Sequence, residues 1–139
     1  MRYIRTICFA MVLLASLSGF ALTETVNGVT WTYTVSNGGA CLGSSSSSSL
    51  AVPTSTSGAL VIPSVLGGYS VTTLGSYAFR NCTRLTSVTV PQSVTSIQDS
   101  AFNGCSGLTS MTLPFVGLQR GNRRKREALF GYIFGNSSY

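Results

Sequence analysis

The sequence predicts a β-rich, mixed α/β solenoid in which short repeat coils stack behind an N-terminal β-hairpin. The main observation is an internal repeat, because eight residues of the stretch 78–91 return unchanged 23 positions later in the stretch 101–114. The apolar residues of each copy follow neither a helical period nor plain alternation throughout. An alternating segment between two Asn-Gly pairs precedes the repeats. A fixed period of this kind is typical of repeat proteins, in which neighbouring units share one continuous core.

The β-hairpin is predicted over residues 22–43 and is expected to cap the repeats. Apolar residues alternate with threonines from Val29 to Val35, so one face of this strand should be buried and the other polar. Asn27-Gly28 and Asn37-Gly38 are turn signals on either side of the strand.

The repeats are predicted over residues 59–117, after a flexible Ser/Thr-rich stretch over residues 44–58 that begins with six consecutive serines. Two 23-residue coils are clear and one is partial. In the partial coil, Leu60–Pro63 fits the place of Val88–Pro91. That coil then carries a five-residue insertion, "LGGYS" or its equivalent.

Each coil is expected to begin with a bend and a short strand. The spacing of Leu85, Val88 and Val90 fits a bend followed by a short strand whose alternate side chains point inward. Pro91 ends the strand because proline has no N–H for a ladder. Asp99-Ser100 is expected to cap a helical turn that carries Ala101 and Phe102 inward. The predicted repeat core consists of Phe79, Cys82, Leu85, Val88, Val90, Val94, Ile97, Phe102, Cys105, Leu108, Met111 and Leu113.

Two of the cysteines occupy equivalent places in successive coils. Cys82 and Cys105 are predicted to face the interior as small apolar groups with a weak donor. A disulfide between them is the alternative, since stacked coils lie about 4.8 Å apart, and it would leave Cys41 unpaired.

The composition excludes most kinds of catalytic site. The chain has no histidine and three acidic residues, which removes Ser-His-Asp and Cys-His arrangements, most zinc sites and two-carboxylate sites. We therefore expect no enzyme activity, no catalytic or metal-ligating residue and no cofactor.

Two surfaces are candidates for binding. Ser87, Thr89, Ser110 and Thr112 lie between the inward-facing positions, so they should form a hydroxyl-rich ladder on the exposed strand face. The second candidate is a basic run, Arg120, Arg123, Arg124, Lys125 and Arg126. It is either a solvated loop or a patch for an anionic surface, and its few aromatic residues argue against specific nucleic-acid binding.

The stretch "LTSVTVPQSVTSIQDSAFNGCSGLTSMTLP" (residues 85–114) resembles the BspA-type leucine-rich repeats of bacterial surface proteins. The resemblance covers residues 60–114. It implies a right-handed leucine-rich repeat solenoid, a secreted or cell-surface location, and a non-catalytic role in adhesion to an extracellular protein or glycan.

The two ends of the chain carry further expectations. Residues 1–21 have a basic start, an apolar core and small residues at Gly19 and Ala21, which predicts a signal peptide cleaved after Ala21. An uncleaved membrane anchor is the alternative. Residues 118–139 hold the basic run and an aromatic segment, "LFGYIFG". Because there are so few coils, we expect the chain to be a short family member or an N-terminal fragment of a larger surface protein without activity of its own. If it is not a fragment, the aromatic residues should form a C-terminal cap or an exposed patch.

Overall fold

The computed structural model describes residues 20–43, 50–115 and 130–135, and its strands form two sheets. The β-rich class is confirmed. The helical share is smaller than a mixed α/β protein would have, since the helix of the described residues, α1, spans five residues. The elements are β1 (Leu22–Val26), β2 (Val29–Ser36), β3 (Gly39–Leu42), β4 (Gly58–Val61), β5 (Val65–Leu66), β6 (Tyr69–Leu74), β7 (Leu85–Thr89), β8 (Ser96–Ile97), β9 (Ser110–Thr112) and α1 (Phe130–Phe134).

The N-terminal segment is an antiparallel meander of β1, β2 and β3, one strand more than the predicted hairpin. Asn27-Gly28 joins the first two strands and Asn37-Gly38 joins the second pair, and all four residues have positive φ. Two consecutive positive φ values define the hairpin turn that matches the natural strand twist. The predicted alternation in β2 is confirmed, because Trp31 and Tyr33 are buried.

The meander joins the repeats through one continuous sheet. β3 pairs in parallel with β6, which also pairs in parallel with β8. The five-residue insertion lies in a second hairpin, where β5 and β6 meet around Gly67-Gly68. The Gly67 N–H donates to the Glu24 carboxylate at 2.6 Å, so the inserted hairpin is tied to the first strand of the meander.

The second sheet consists of β4, β7 and β9, all parallel. Its last two strands pair at the repeat offset of 23, with Val88 opposite Met111. Backbone bonds extend the ladder beyond the strand ends, as where Val90 N–H donates to Thr112 O at 2.8 Å. The sequence repeat is therefore also the hydrogen-bonding register.

The core lies between the two sheets and is centred on a row of aromatic rings. The Phe79 and Phe102 rings are stacked with centroids 4.9 Å apart, and Trp31 meets Phe79 edge-on at 6.5 Å. Nine of the twelve predicted repeat-core residues are buried. Leu108, Met111 and Leu113 are partly buried against the same core, because no described strand lies beyond β9.

The predicted helical turn after Asp99 is wrong. Residues 99–104 form consecutive turns instead, with i to i+3 bonds such as Asn103 N–H to Ser100 O at 3.0 Å. Ser100 has a φ of +57°, which a right-handed helix does not allow. Ala101 and Phe102 are nevertheless buried.

Candidate functional site

The candidate binding face is the outward side of β7 and β9. Ser87 lies opposite Ser110, and Thr89 lies opposite Thr112. Thr89, Ser110 and Thr112 are exposed and Ser87 is half-buried. The structure thus places all four predicted residues together, as two rows that cross adjacent strands about 4.8 Å apart.

The neighbouring strand β4 lengthens both rows with apolar side chains. Ala59 is opposite Ser87, and Val61 is opposite Thr89 with 64% of its surface exposed. Neither residue is predicted above as part of the face, although the match of Leu60–Pro63 to Val88–Pro91 makes Val61 the equivalent of Thr89. We call these six residues, Ala59, Val61, Ser87, Thr89, Ser110 and Thr112, the strand face.

The hydroxyls of the strand face differ from those that hold the repeats together. The hydroxyl of Thr109 donates to Thr86 O at 3.0 Å, and Thr95 bonds Thr72 O in the same way at 3.3 Å. Within the described residues, no such bond engages the four hydroxyls of the strand face. Each remains available to donate and accept a hydrogen bond.

Burial raises the pKa of the described cysteine thiols and so favours their protonated form. Cys82 and Cys105 are buried, and the described cysteines, including the half-buried Cys41, are free thiols. Cys105 Sγ lies 3.0 Å from Phe79 O and donates to it. Burial first, and then the neighbouring Cys82, raises the pKa of Cys105 to about 12. These thiols act as interior packing groups because the thiolate, which is the nucleophile, is disfavoured there.

We expect Cys82 and Cys105 to react slowly with iodoacetamide at pH 8 in the folded protein. The rate should be about tenfold or more below that of Cys41, which is less buried, and all three should react alike in urea. Peptide mass spectrometry after timed labelling reports each cysteine separately. Equal labelling of Cys105 and Cys41 in the folded protein would contradict the buried, protonated thiol.

The same thiol also gives stability a pH dependence. The pKa of Cys105 is about 12 in the folded chain and 9.0 in its ordinary state. Its contribution to folding is therefore complete below pH 9 and is lost as the pH rises toward 12, because only the unfolded chain releases the proton in that range.

Other kinds of site receive no support from the described residues. Among residues 20–43, 50–115 and 130–135, no group of three His, Cys, Asp or Glu side chains could hold a metal ion. In the same part of the chain, no helix is long and apolar enough to cross a membrane. The basic run Arg120–Arg126 and the signal segment 1–19 lie outside the described residues, so both stay predictions.

Comparison with known proteins identifies the repeat. Residues 61–120 match the family model described as a BspA type leucine rich repeat region (6 copies). Over this stretch the chain is similar in sequence to BspA-type leucine-rich repeats. A leucine-rich repeat protein of T. pallidum is similar in structure, with 28% identity and a TM-score of 0.54 over 66% of this chain. The sequence match and the similar solved fold both point to leucine-rich repeats.

A leucine-rich repeat protein from Bacteroides ovatus also matches, with 23% identity and a TM-score of 0.48 over 66% of this chain. The chain spans 39% of the T. pallidum protein and 23% of the B. ovatus protein. No curated protein matches the chain in sequence.

Proposed function

We propose that this chain is a non-catalytic leucine-rich repeat module that binds an extracellular protein or glycan through the strand face. The observation that supports this best is the register of β7 and β9, which sets Ser87 beside Ser110 and Thr89 beside Thr112 on an exposed surface. The rows are fixed by a parallel backbone ladder, so little side-chain or backbone ordering is needed on binding.

The chemistry of the strand face suits a neutral, polar ligand. Its six side chains carry no charge, so a partner need not lose strong ion hydration to approach it. Hydroxyls can donate or accept toward amide groups and sugar hydroxyls alike, and Val61 adds an exposed apolar contact. Affinity per module should be modest and should rise when several copies act together.

The proposal includes the location and the larger architecture. We propose that the repeat units stack as a right-handed solenoid and that the protein is exported, with cleavage after Ala21. The similarity to BspA-type repeats supports both, and the apolar segment at residues 7–21 supports export. N-terminal sequencing of exported protein should begin at Leu22.

We expect charges placed on the strand face to abolish binding. The test variant is Thr89→Lys with Thr112→Lys, and the probes are an array of immobilised extracellular-matrix proteins and a mixed-glycan array. A probe that binds the wild-type chain should bind the variant about tenfold or more weakly, which corresponds to about 1.4 kcal/mol. Surface plasmon resonance at two salt concentrations separates this loss from a general charge effect.

The matched control is Thr25→Lys with Thr30→Lys, because these exposed threonines also face each other on adjacent strands, in the other sheet. Both double variants add the same charge. Equal binding by the two variants would refute the strand face as the site. Wild-type protein that binds none of the protein or glycan probes would refute the proposed ligand class.

A further inference from the structure

The aromatic segment near the C-terminus repeats the sequence pattern of the turns in the two clear coils, although its backbone is the helix α1 where those turns have a positive φ at Tyr77 and Ser100. Three segments share one pattern: Ser76-Tyr77-Ala78-Phe79, Asp99-Ser100-Ala101-Phe102 and Gly131-Tyr132-Ile133-Phe134. The third copy keeps the tyrosine of the first copy and the phenylalanine of both. It was hidden from a search at a fixed period, because Ile133 follows Ala101 by 32 positions rather than 23.

One backbone bond of this segment is equivalent to a bond between the two clear coils. Phe79 N–H donates to Ala101 O at 2.8 Å, and Phe102 N–H donates to Ile133 O at 2.8 Å. In both pairs of neighbouring segments, the acceptor is the carbonyl oxygen of the residue just before the phenylalanine of the later segment, Ala101 or Ile133. The side-chain amide of Asn103 adds a bond to Phe134 O at 3.2 Å.

The side chains continue the aromatic row of the core. The Phe134 ring meets the Phe102 ring at 6.2 Å with a tilt of 40°, following the stacked pair of Phe79 and Phe102. Ile133 and Phe134 are buried. Ser100 is also buried, and a Cβ on Gly135 would lie 2.9 Å from its hydroxyl, so the segment sits closely on the turn beneath it.

We infer that Gly131–Gly135 is the aromatic turn of a further repeat unit, and that the exposed end of the preceding unit is a docking surface for a turn of this type. The surface consists of the Ser100 and Phe102 N–H groups, the Phe102 ring and the Asn103 amide. Its occupant is this chain's own Tyr132-Ile133-Phe134. The repeat region therefore extends beyond residue 120, where the family match ends.

This assignment requires an insertion in the new unit, as the first unit also has. From the strand-ending proline to the residue equivalent to Tyr77, the second unit needs nine positions, Pro91 to Ser100. The first unit needs 14, and the excess of five lies in the β5–β6 hairpin. From Pro114 to Tyr132 the count is 18, so the new unit has an insertion in the same interval of the repeat, nine residues long.

Amide hydrogen exchange of the full chain tests the docking without any substitution. The Phe102 amide should exchange within about tenfold of the rate of the Phe79 amide, since both donate to the turn of the following unit. A Phe102 amide that exchanges at the rate of an exposed loop, while the Phe79 amide stays protected, would overturn the proposal.

Two variants then distinguish a repeat turn from a terminal segment that covers the core only because it is apolar. The first transplants the turn of the preceding unit through Gly131→Asp, Tyr132→Ser and Ile133→Ala, with Phe134 retained and with Gly135 kept because a Cβ there would press on Ser100 and Asn103. The second exchanges the two rings through Tyr132→Phe and Phe134→Tyr, which keeps the composition unchanged. If the segment is a repeat turn, the transplant variant should keep the Phe102 amide protected from hydrogen exchange. The ring-swap variant should lower that protection about tenfold or more, because Tyr at position 134 buries a hydroxyl against Phe102. If the Phe102 amide stays protected in the ring-swap variant but not in the transplant variant, the segment covers the core only as an apolar group, and the proposal is overturned.

Discussion

Replacing Phe79 by alanine should lower the free energy of unfolding by about 3–5 kcal/mol. Phe79 is fully buried, stacks on Phe102 at 4.9 Å and meets the edge of Trp31 at 6.5 Å. It therefore joins the N-terminal meander to both sides of the repeat core. Since a domain of this size has about 5–15 kcal/mol of total stability, this one change should remove a large part of it.

Urea denaturation followed by far-UV circular dichroism measures this loss. Val61→Ala is the control, because Val61 lies on the strand face with 64% of its surface exposed and should shift stability by no more than about 0.5 kcal/mol. If Phe79→Ala unfolds at the same urea concentration as Val61→Ala, the meander and the repeats do not share one core through this ring.

The repeat made much of this fold predictable. An offset of 23 residues in sequence became the pairing register of β7 and β9, so Ser87 and Thr89 met Ser110 and Thr112 as expected. The physical reason is that stacked units bury equivalent side chains, and a shift of one residue would turn every inward side chain outward. Alternation in β2 was equally informative, since Trp31 and Tyr33 needed one buried face.

Local backbone conformations and breaks in the period were less predictable. Ser100 adopts a positive φ that its residue type does not signal, so a helical turn was expected where consecutive turns occur. The docking of Gly67 on Glu24 depends on a contact across 43 residues, which no local pattern encodes. The terminal aromatic turn escaped because its insertion moved it nine positions out of period.

Gly107 shows where the repeat alone would mislead. Its equivalent 23 positions earlier is Arg84, whose side chain is exposed, so the repeat by itself does not require glycine at position 107. The structure indicates otherwise. A Cβ at Gly107 would overlap with the carbonyl oxygen of Thr83 and lie 3.1 Å from that of Leu85. Both are backbone atoms of the preceding unit and cannot rotate away as the end of a side chain can.

We therefore expect Gly107→Ala to lower the free energy of unfolding by about 1–3 kcal/mol, because the two stacked turns must move apart. Gly131→Ala is the matched control. Gly131 lies in α1, and a Cβ there would meet nothing within 4 Å, so alanine should be neutral or stabilise the helix by up to about 1 kcal/mol. Parallel urea titrations compare the two variants, and equal midpoints would contradict close stacking at Gly107. A loss confined to Gly107→Ala would mean that a glycine in one unit is required by the backbone of the unit before it, so equivalent positions of the repeat are not interchangeable.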